Sequence, residues 1–396
     1  MSFSMSVTAV VLAGGQGTRL RPFTYHRPKP LMPVANKAVI DYVLDLLELS
    51  GIVGKAYVLL DYMGEALETH LKGEQRSIEV VPMTFKALDT ADAVRRIRHA
   101  LSDDFLVLMG DIITNCDVSS LWSAHKERKA VATIALKDVD NPSHYGLAVL
   151  SWEGRVCSFV EKPRSHELYV VSIAMRAARA KYSYANLANM GIYALSYRLL
   201  DLLDDNPHLL DFGRHVFPYL VEEGYPVYGW HSEGSYWIDV GTIQTYHQAN
   251  ADVLDGLSAP LRPSGIKSSG AWLEAVKELS GDLRPPSALG QEAVMKAGSA
   301  VGPYAAVGKG VIVEEGAYVV NSVIMDGAVI GRGAVVSDSI VGGGARVEEG
   351  ARVVHSLVED GAVVPPGTFL AGALVPSSRA PPEVAKRLST GRARAA

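Results

Sequence analysis

The C-terminal third of the chain repeats itself every 17 residues, and this repeat limits the possible folds more than any other feature of the sequence. The recurring steps are Asn321-Ser322, Asp338-Ser339 and His355-Ser356; Gly316-Ala317, Gly333-Ala334 and Gly350-Ala351; and Gly327-Ala328, Gly344-Ala345 and Gly361-Ala362. A fixed period of this size predicts a solenoid, because one coil cannot bury its own apolar face whereas a stack of coils can.

Within each period the apolar positions fall about every six residues, as in Val301, Val307, Val313 and Val319. Three short strands per coil, with small residues at the corners and Val or Ile inside, resemble the left-handed parallel β-helix of hexapeptide-repeat proteins. We therefore assign residues 291–375 to such a β-helix and expect about four coils between Gly298 and Thr368. Because β-helices of this type pack side by side, we expect a homo-oligomer assembled through it.

The N-terminal part follows a different pattern, in which short apolar runs alternate with helical periodicity. The predicted strands are Val7–Leu12, Ala56–Leu60, Phe105–Met109, Ala130–Leu136, Gly146–Leu150 and Gly191–Ala194, and the predicted helices are Ala38–Ser50, Thr90–Leu101 and Val118–Arg128. This alternation predicts an α/β domain over residues 1–254, with a Rossmann-like, mostly parallel sheet and helices on both faces. Ligands of such sheets bind at the carboxyl ends of the strands.

Two further segments are rich in residues that favour irregular structure. Residues 255–290 contain many Gly, Ser and Pro residues and predict a linker, with one helical piece around Trp272–Leu279. Residues 376–396 predict a flexible basic tail.

Composition excludes several classes of protein. A net charge of −5 and a pI near 6.1 argue against a nucleic-acid-binding protein, which would carry a basic domain. With Cys116 and Cys157 as the two cysteines, neither a disulfide framework nor a cysteine zinc site is expected. We find no secretory leader and no apolar run near 18 residues, so we expect no membrane partner and a cytoplasmic location.

A glycine-rich turn follows the first predicted strand and leads into a cluster of cations. The glycines are Gly14, Gly15 and Gly17, and the cations are Arg19, Arg21, Arg27 and Lys29. Glycines after a strand let backbone N–H groups approach a phosphate closely, and the cations would repel one another unless a polyanion bound there. The segment lacks the Gly-Lys-Ser/Thr ending of a P-loop and the third glycine of a dinucleotide-binding motif.

The same stretch resembles the signature of the sugar-1-phosphate nucleotidylyltransferases, G-G-x-G-T-R-L-x-P-x-T-x-x-x-P-K-P. Its positions in register are Gly14, Gly15, Gly17, Thr18, Arg19, Leu20, Pro22, Thr24, Pro28, Lys29 and Pro30. The resemblance implies transfer of a nucleotidyl group from a nucleoside triphosphate to a sugar-1-phosphate, with release of pyrophosphate. It implies nucleotide binding by Leu12, Ala13, Gly14, Gly15, Gly17, Thr18 and Arg19.

Two catalytic cations follow from the same resemblance. Arg19 is similar to the residue that holds the leaving phosphates. Lys29 is similar to the lysine on the α-phosphate and the attacking phosphate, and the prolines on either side restrict its backbone.

Two aspartates resemble the metal ligands of this family. Asp111 ends an apolar strand in a G-D motif, and Asp239 lies in a W-x-D-x-G-T motif. Carboxylate oxygens suit Mg²⁺, which the reaction needs to offset charge between two anions. We therefore expect Asp111 and Asp239 to hold Mg²⁺, with Asp111 also counted among the catalytic residues.

Three further motifs resemble the sugar-recognition elements of the family, Y-G, E-K-P and N-x-G-x-Y. They supply Tyr145, Gly146, Glu161, Lys162 and Asn189 as the expected sugar-phosphate-binding residues. The resemblance implies that Glu161 accepts from sugar hydroxyls and that Lys162 contacts the sugar phosphate.

The base-binding element departs from its usual G-T-A pattern. Here it is Asp89-Thr90-Ala91, with an aspartate in place of glycine, and residues 82–88 contain no glutamine to pair with a pyrimidine. An acid near the base can accept from guanine N1–H and its amino group, although an aspartate before Thr90 is also a common helix cap.

Two neighbouring motifs, Asn141-Pro-Ser-His-Tyr145-Gly146 and Phe212…Val216-Phe217-Pro218, are similar to those of mannose-1-phosphate guanylyltransferases. We therefore expect GTP and mannose-1-phosphate as substrates and GDP-mannose as product. The alternatives are a glucose-1-phosphate uridylyl- or thymidylyltransferase, a bifunctional enzyme with acetyltransferase activity at the coil corner near His355, and a regulatory homologue without catalysis. The long stretch Arg164–Leu187 predicts a helix over the sugar pocket or a subunit contact.

Overall fold

The computed structural model describes residues 6–164, 166–167 and 187–377. The chain forms two compact units, Met1–Gln16 with Ile40–Trp237 and Gly17–Val39 with Ile238–Ala396, here called the first and second units. The segment Gly17–Val39 therefore belongs with the C-terminal part of the chain. Of the predicted element at Arg164–Leu187, residues 165 and 168–186 lie outside the described residues, as do all but two residues of the predicted tail.

The secondary structure up to residue 255 alternates between strands and helices. In chain order the strands are β1 (Val7–Leu12), β2 (Pro33–Val34), β3 (Lys37–Ala38), β4 (Val53–Leu60), β5 (Glu79–Thr84), β6 (Phe105–Met109), β7 (Ile112–Thr114), β8 (Ala132–Asp138), β9 (Gly146–Leu150), β10 (Val156–Glu161), β11 (Leu187–Leu195), β12 (Val227–His231) and β13 (Trp237–Asp239). The helices are α1 (Val39–Leu49), α2 (Gly64–Gly73), α3 (Thr90–Arg96), α4 (Val118–Arg128), α5 (Arg198–Asp205), α6 (Phe217–Glu222) and α7 (Ile243–Asp255).

The first unit is built on a nine-stranded sheet whose central path runs β10-β9-β11-β6-β1-β4-β5, with β8 beside β11 and β12 beside β8. Strands β6, β1, β4 and β5 are parallel, so their carboxyl ends share one edge. Strand β11 runs antiparallel to β6, β8 and β9, and β9 and β10 form an antiparallel hairpin.

The predicted Rossmann-like fold is confirmed, with one difference. The sheet is mixed, because a short turn can connect β9 to β10 only as an antiparallel pair. Each predicted strand of this unit is present within a few residues. The predicted helix Thr90–Leu101 ends earlier, at Arg96, and a 3₁₀ turn over Arg98–Ala100 follows it.

The apolar sequence of β6 explains why this strand, which pairs in parallel with β1, is buried. The side chains of Phe105, Leu106, Val107 and Leu108 in β6 are fully buried, as expected of a strand covered on both faces. Helices α3, α5 and α6 contribute to the same apolar core.

The second unit contains a parallel β-helix. Its strands are β14 (Ile266–Ser268), β15 (Ala271–Leu273), β16 (Glu278–Leu279), β17 (Asp282–Leu283), β18 (Ser287–Leu289), β19 (Val294–Met295), β20 (Ala300–Val301), β21 (Ala305–Val307), β22 (Ile312–Val313), β23 (Tyr318–Val320), β24 (Val323–Ile324), β25 (Val329–Ile330), β26 (Val335–Ser337), β27 (Ile340–Val341), β28 (Arg346–Val347), β29 (Arg352–Val354), β30 (Leu357–Val358), β31 (Val363–Val364), β32 (Phe369–Ala371) and β33 (Leu374–Val375). From β15 onward every third strand pairs in parallel, which gives three stacked sheets. The hairpin strand β14 covers the first coil antiparallel to β15.

The predicted boundaries of the β-helix are wrong at its N-terminal end. The predicted linker 255–290 already contains the first coil, and the predicted helical piece Trp272–Leu279 contains strands β15 and β16 instead. Within the described residues six complete coils run from β15 to β32. The four coils predicted between Gly298 and Thr368 are present as β20 to β31, and most of the remaining strands lie before the predicted start at residue 291. The Gly, Ser and Pro residues lie at coil corners rather than in a flexible connection, as at Ser280-Gly281 and Pro285-Pro286.

Candidate active site

A cavity of about 460 Å³ opens in the first unit at the carboxyl ends of the parallel strands. Its lining consists of Leu12, Ala13, Gly14, Gly15 and Gln16 after β1, Leu59, Leu60 and Asp61 at the end of β4, Phe85, Ala87, Leu88, Asp89, Thr90 and Ala93 around the start of α3, and Met109 and Asp111 after β6. This is the edge at which open α/β sheets bind ligands. The predicted nucleotide-binding residues of this unit line it, with the exception of Ala91.

Ala91 is fully buried behind the cavity, where its backbone N–H donates to the carbonyl of Leu210 at 2.8 Å. Its backbone hydrogen bond therefore helps to hold the start of α3, and the residue does not line the cavity.

The glycine loop brings bare backbone to the cavity. A Cβ on Gly14 would lie 3.1 Å from the Cβ of Asp61, whereas the same position on Gly15 faces open space. Gly14 therefore packs against β4 while Gly15 leaves room for a ligand. Gly110 donates its N–H to the carbonyl of Leu12 at 2.8 Å, which fixes the neighbouring Asp111 at the end of β6.

The sequence leaves open whether Asp89 lies near the base or caps a helix, and in the structure it both lines the cavity and caps α3. Its carboxylate forms the cap by accepting the N–H of Thr90 at 2.9 Å. Burial raises the pKa of Asp89, and the nearby Asp211 carboxylate raises it further. The hydroxyl of Thr90 donates to Asp211 at 2.9 Å.

Asp92 is a residue of this region that sequence reasoning did not single out. Its buried carboxylate accepts from the N–H of Leu88 and from Nε of Arg96, each at 2.8 Å, and also pairs with Arg95. Burial would raise the pKa of Asp92, but these donors outweigh burial and lower it. The carboxylate thus fastens the loop before α3, and arginines three and four positions later were the available signal.

The second unit brings together Arg19, Lys29 and Asp239. The Lys29 side chain is 8% exposed, and its Nζ lies 3.2 Å from Asp239 Oδ1. Arg19 is 60% exposed, with Nη2 at 3.9 Å from Asp239 Oδ2. Burial of a lysine beside a carboxylate fixes its ammonium in place, whereas Arg19 remains largely solvated.

Gly17 explains how Lys29 is held. Gly17 has φ of 61°, and a Cβ there would approach the Cβ of Lys29 and the Cγ2 of Thr24, both at 3.0 Å. The hydroxyl of Thr24 donates to the Gly17 carbonyl at 2.8 Å. The signature residues therefore pack against one another, and Thr18 opens the 3₁₀ turn that carries Arg19.

Most of the predicted sugar-binding residues lie together in the first unit. The Glu161 carboxylate occupies the space that Cβ atoms on Gly146 and Gly213 would need, each 2.6 Å from Oε2. Lys162 approaches Glu161 Oε1 at 3.4 Å, and its N–H donates to the carbonyl of Tyr145. Burial raises the pKa of Glu161, although Lys162 opposes the shift.

Tyr145 and Asn189, two further predicted sugar-binding residues, make different kinds of contact. Tyr145 and Trp237 pack edge to face, 5.0 Å between ring centres, in the wall of a cavity of about 390 Å³. Asn189 is engaged within its own strand, because its amide donates to the hydroxyl of Tyr193 and its oxygen accepts from the N–H of Gly191, both at 2.9 Å. Asn189 therefore shapes the bend at Gly191.

The donor set suits a metal only in part. Over the described residues, no group of three or more His, Cys, Asp or Glu side chains could hold a metal ion. Asp111 and Asp239 are hard oxygen donors of the kind that Mg²⁺ takes, and Mg²⁺ is often held by one or two carboxylates together with phosphates and water.

Comparison with known proteins gives the family. Residues 8–256 match the family described as nucleotidyl transferase, which is more than half of the chain. The chain belongs to this family. Residues 283–381 match the domain described as the GMPPB C-terminal domain.

The chain is similar to curated members over long stretches. It is 29% identical over 360 residues to a UTP–glucose-1-phosphate uridylyltransferase of Synechocystis sp., covering 84% of this chain and 86% of that protein. It is 31% identical over 274 residues to a glucose-1-phosphate adenylyltransferase of Clostridium novyi, covering 62% and 66%. The chain is thus a sugar-1-phosphate nucleotidyltransferase. In the described part of the chain no helix is long and apolar enough to cross a membrane.

Proposed function

We propose that this nucleotidyltransferase makes GDP-mannose from GTP and mannose-1-phosphate. The observation that carries the proposal is the position of Asp89 in the lining of the first unit's cavity. A carboxylate accepts both N1–H and the amino group of guanine, a pair of donors that adenine, uracil and thymine lack. The match of residues 283–381 to the GMPPB C-terminal domain supports the same substrate.

A second candidate is transfer to glucose-1-phosphate from UTP. It is favoured by the uridylyltransferase that matches 84% of this chain. Against it stands the segment before α3, which has no glutamine in residues 82–88. The two candidates share the reaction and differ in the base and the sugar.

The chemistry joins an oxygen of the sugar phosphate to the α-phosphorus and breaks the bond from that phosphorus to the β-phosphate oxygen, so pyrophosphate leaves. Arg19, whose side chain is largely exposed, would bind the leaving phosphates. Lys29, which is buried and held by Asp239, would offset the charge that gathers around the α-phosphorus. Asp111 and Asp239 would hold Mg²⁺, which when bound supplies further positive charge at the phosphates.

The sugar would bind through hydroxyl contacts to Glu161, whose carboxylate is fixed between two glycines. Lys162 beside it would bind the sugar phosphate. Tyr145 would pack against the apolar face of the ring, as its contact with Trp237 presents an aromatic surface to the neighbouring cavity.

The proposal extends to assembly and location. Self-association through the β-helix is supported by apolar side chains exposed on its last coil, Val363 and Phe369. A cytoplasmic location is supported by Cys116 and Cys157, both free thiols.

Replacing Asp89 tests the base. With wild-type protein, kcat/KM for GTP should exceed that for UTP and dTTP by about tenfold or more, and Asp89→Ala should remove most of that preference, because a missed hydrogen bond to a buried group costs about 1–3 kcal/mol. The measurement is pyrophosphate release with each nucleotide at saturating sugar phosphate.

A matched control separates base recognition from helix capping. Asp117 caps α4 by accepting the N–H of Ser120 at 3.0 Å, so Asp117→Ala should lower stability by about 0.5–2 kcal/mol and leave base preference intact. If Asp89→Ala behaves like Asp117→Ala, with lower stability and unchanged preference, Asp89 is a cap alone.

Glu161 gives a prediction about pH. Because burial raises its pKa, Glu161 should take up a proton at a higher pH than an ordinary glutamate does as the medium is acidified, and the KM for sugar phosphate should rise there. Glu161→Gln should raise that KM at neutral pH and flatten its pH dependence, with the KM for nucleotide nearly unchanged. Equal changes in both KM values would argue against a role in sugar binding.

A further inference from the structure

The segment Gly17–Val39, which carries Arg19 and Lys29, is attached to the β-helix within the second unit. The guanidinium of Arg27 donates from Nη2 to Asp360 Oδ2 at 3.0 Å and from Nη1 to the sulfur of Met325 at 3.2 Å. Asn36 donates to the carbonyl of Val307 at 2.9 Å. These contacts engage three different coils.

The 17-residue repeat is interrupted where Arg27 binds. Asp326 and Asp360 occupy equivalent positions two coils apart, and each accepts a backbone N–H of the preceding coil, from Lys309 at 2.8 Å and Gly343 at 2.7 Å. The coil between them has Gly343 at that position. A Cβ on Gly343 would lie 3.1 Å from Arg27 Nη2, so the glycine leaves space for the guanidinium.

The Arg27–Asp360 pair is well placed to be an anchor. The side chains are 23% and 15% exposed, so water screens the pair less than it would on an open surface. Asp360 is itself fixed, since one oxygen accepts from Gly343 while the other accepts from Arg27. Next to this pair, His26 Nε2 lies 3.7 Å from the buried Oε1 of Glu359, an oxygen that accepts no hydrogen bond from the described residues.

Arg27, the residue that binds Asp360, is two positions before Lys29 in the sequence. The intervening Pro28 and the following Pro30 have fixed φ, so the backbone from Arg27 to Lys29 has few ways to absorb a displacement. Lys29 begins a 3₁₀ turn over Lys29–Leu31 and is itself buried. Movement of Arg27 would therefore move the Lys29 ammonium.

We propose that Asp360 is a positioning residue for nucleotidyl transfer. Through Arg27 it fixes the Lys29 segment on the β-helix, so that the β-helix sets the geometry of a catalytic cation in addition to any part in assembly. The inference rests on the proposed role of Lys29. A displacement on the order of 1 Å can cost up to about a hundredfold in rate, so loss of this anchor should be visible in kcat.

The test compares Asp360→Asn with Asp326→Asn in the full-length chain. Asp326 makes the same kind of backbone bond, while Arg27 bonds to Asp360, so the second variant is a matched control. We expect Asp360→Asn to lower kcat by about tenfold with each KM within about twofold, and Asp326→Asn to keep kcat within about twofold. Equal kcat values in the two variants would overturn the inference.

A double variant asks whether Asp360 acts through Lys29. If it does, Lys29→Ala combined with Asp360→Asn should be no slower than Lys29→Ala alone, because the cation to be positioned is already gone. A further tenfold loss in the double variant would mean that Asp360 acts by another route, which contradicts the inference.

Labelling of Lys29 separates this inference from the proposed function. An amine-acylating reagent, with the modified lysine identified by mass spectrometry, should label Lys29 faster in Asp360→Asn than in Asp326→Asn or wild type. Unchanged labelling overturns the positioning role whatever the kinetics. Faster labelling together with full activity of Lys29→Ala would retain the anchor and contradict the catalytic role of Lys29.

Discussion

A Lys29→Ala variant should lose about 2–4 kcal/mol of transition-state stabilisation, which is roughly a 30- to 900-fold fall in turnover. The reason is that the Lys29 side chain is preorganised: it is buried, its Cβ packs against Gly17, and its ammonium pairs with Asp239. Lys29→Arg should recover little activity, because a planar guanidinium differs in shape from the compact ammonium of lysine and does not place its charge at the same point. The measurement is the rate of pyrophosphate release at saturating substrates.

Lys37 provides the control for this experiment. It lies in the same segment and donates to the carbonyl of Arg262 at 3.2 Å, yet it is placed outside the proposed chemistry. Lys37→Ala should keep turnover within about twofold. A Lys29→Ala protein with wild-type melting temperature and most of its turnover would contradict the assignment.

Asp111→Asn should raise the Mg²⁺ concentration needed for half-maximal activity by about tenfold or more. The substitution keeps the size of the side chain and removes a charged oxygen ligand for a hard cation. Asp239→Asn should act in the same direction, with an added effect on Lys29, because Asp239 also pairs with that ammonium. The measurement is a Mg²⁺ titration of activity, with melting temperature recorded in the absence of ligands.

Asp61 is the matched control, since this aspartate also belongs to the lining of the first unit's cavity. Asp61→Asn should leave the Mg²⁺ requirement nearly unchanged. An unaltered requirement in both Asp111→Asn and Asp239→Asn would remove these residues from the metal site.

The β-helix could be predicted from sequence only where its coils have equal length. From β21 onward partners are 17 residues apart, as with Ala306 opposite Val323, and this regularity is visible in the sequence. The first coils are 16 and 18 residues long, since Ala271 lies opposite Ser287 and Ser287 opposite Ala305. Because these coils differ in length, the sequence shows no constant period there, and the glycines and prolines at their corners predict a linker instead.

Some features of the site are encoded within one short stretch of sequence, whereas others depend on contacts between residues far apart in the chain. The glycine loop and Lys29 are encoded in one continuous signature, so a single stretch of sequence predicts them. The bond from Thr90 to Asp211 joins residues 121 positions apart, and that from Arg27 to Asp360 spans 333 positions. Spacing rules for helices and strands do not reach so far, and the pairing of these residues emerges only in the folded chain.

The central claim is the choice of substrates, and one panel tests it most directly. Wild-type protein is assayed for pyrophosphate release with GTP, ATP, UTP, CTP and dTTP, each against mannose-1-phosphate, glucose-1-phosphate and N-acetylglucosamine-1-phosphate. The account predicts the highest kcat/KM for GTP with mannose-1-phosphate, by about tenfold over UTP or dTTP with any sugar. A preference for UTP or dTTP with glucose-1-phosphate would contradict it, and would place the chain's specificity with that of its uridylyltransferase relative.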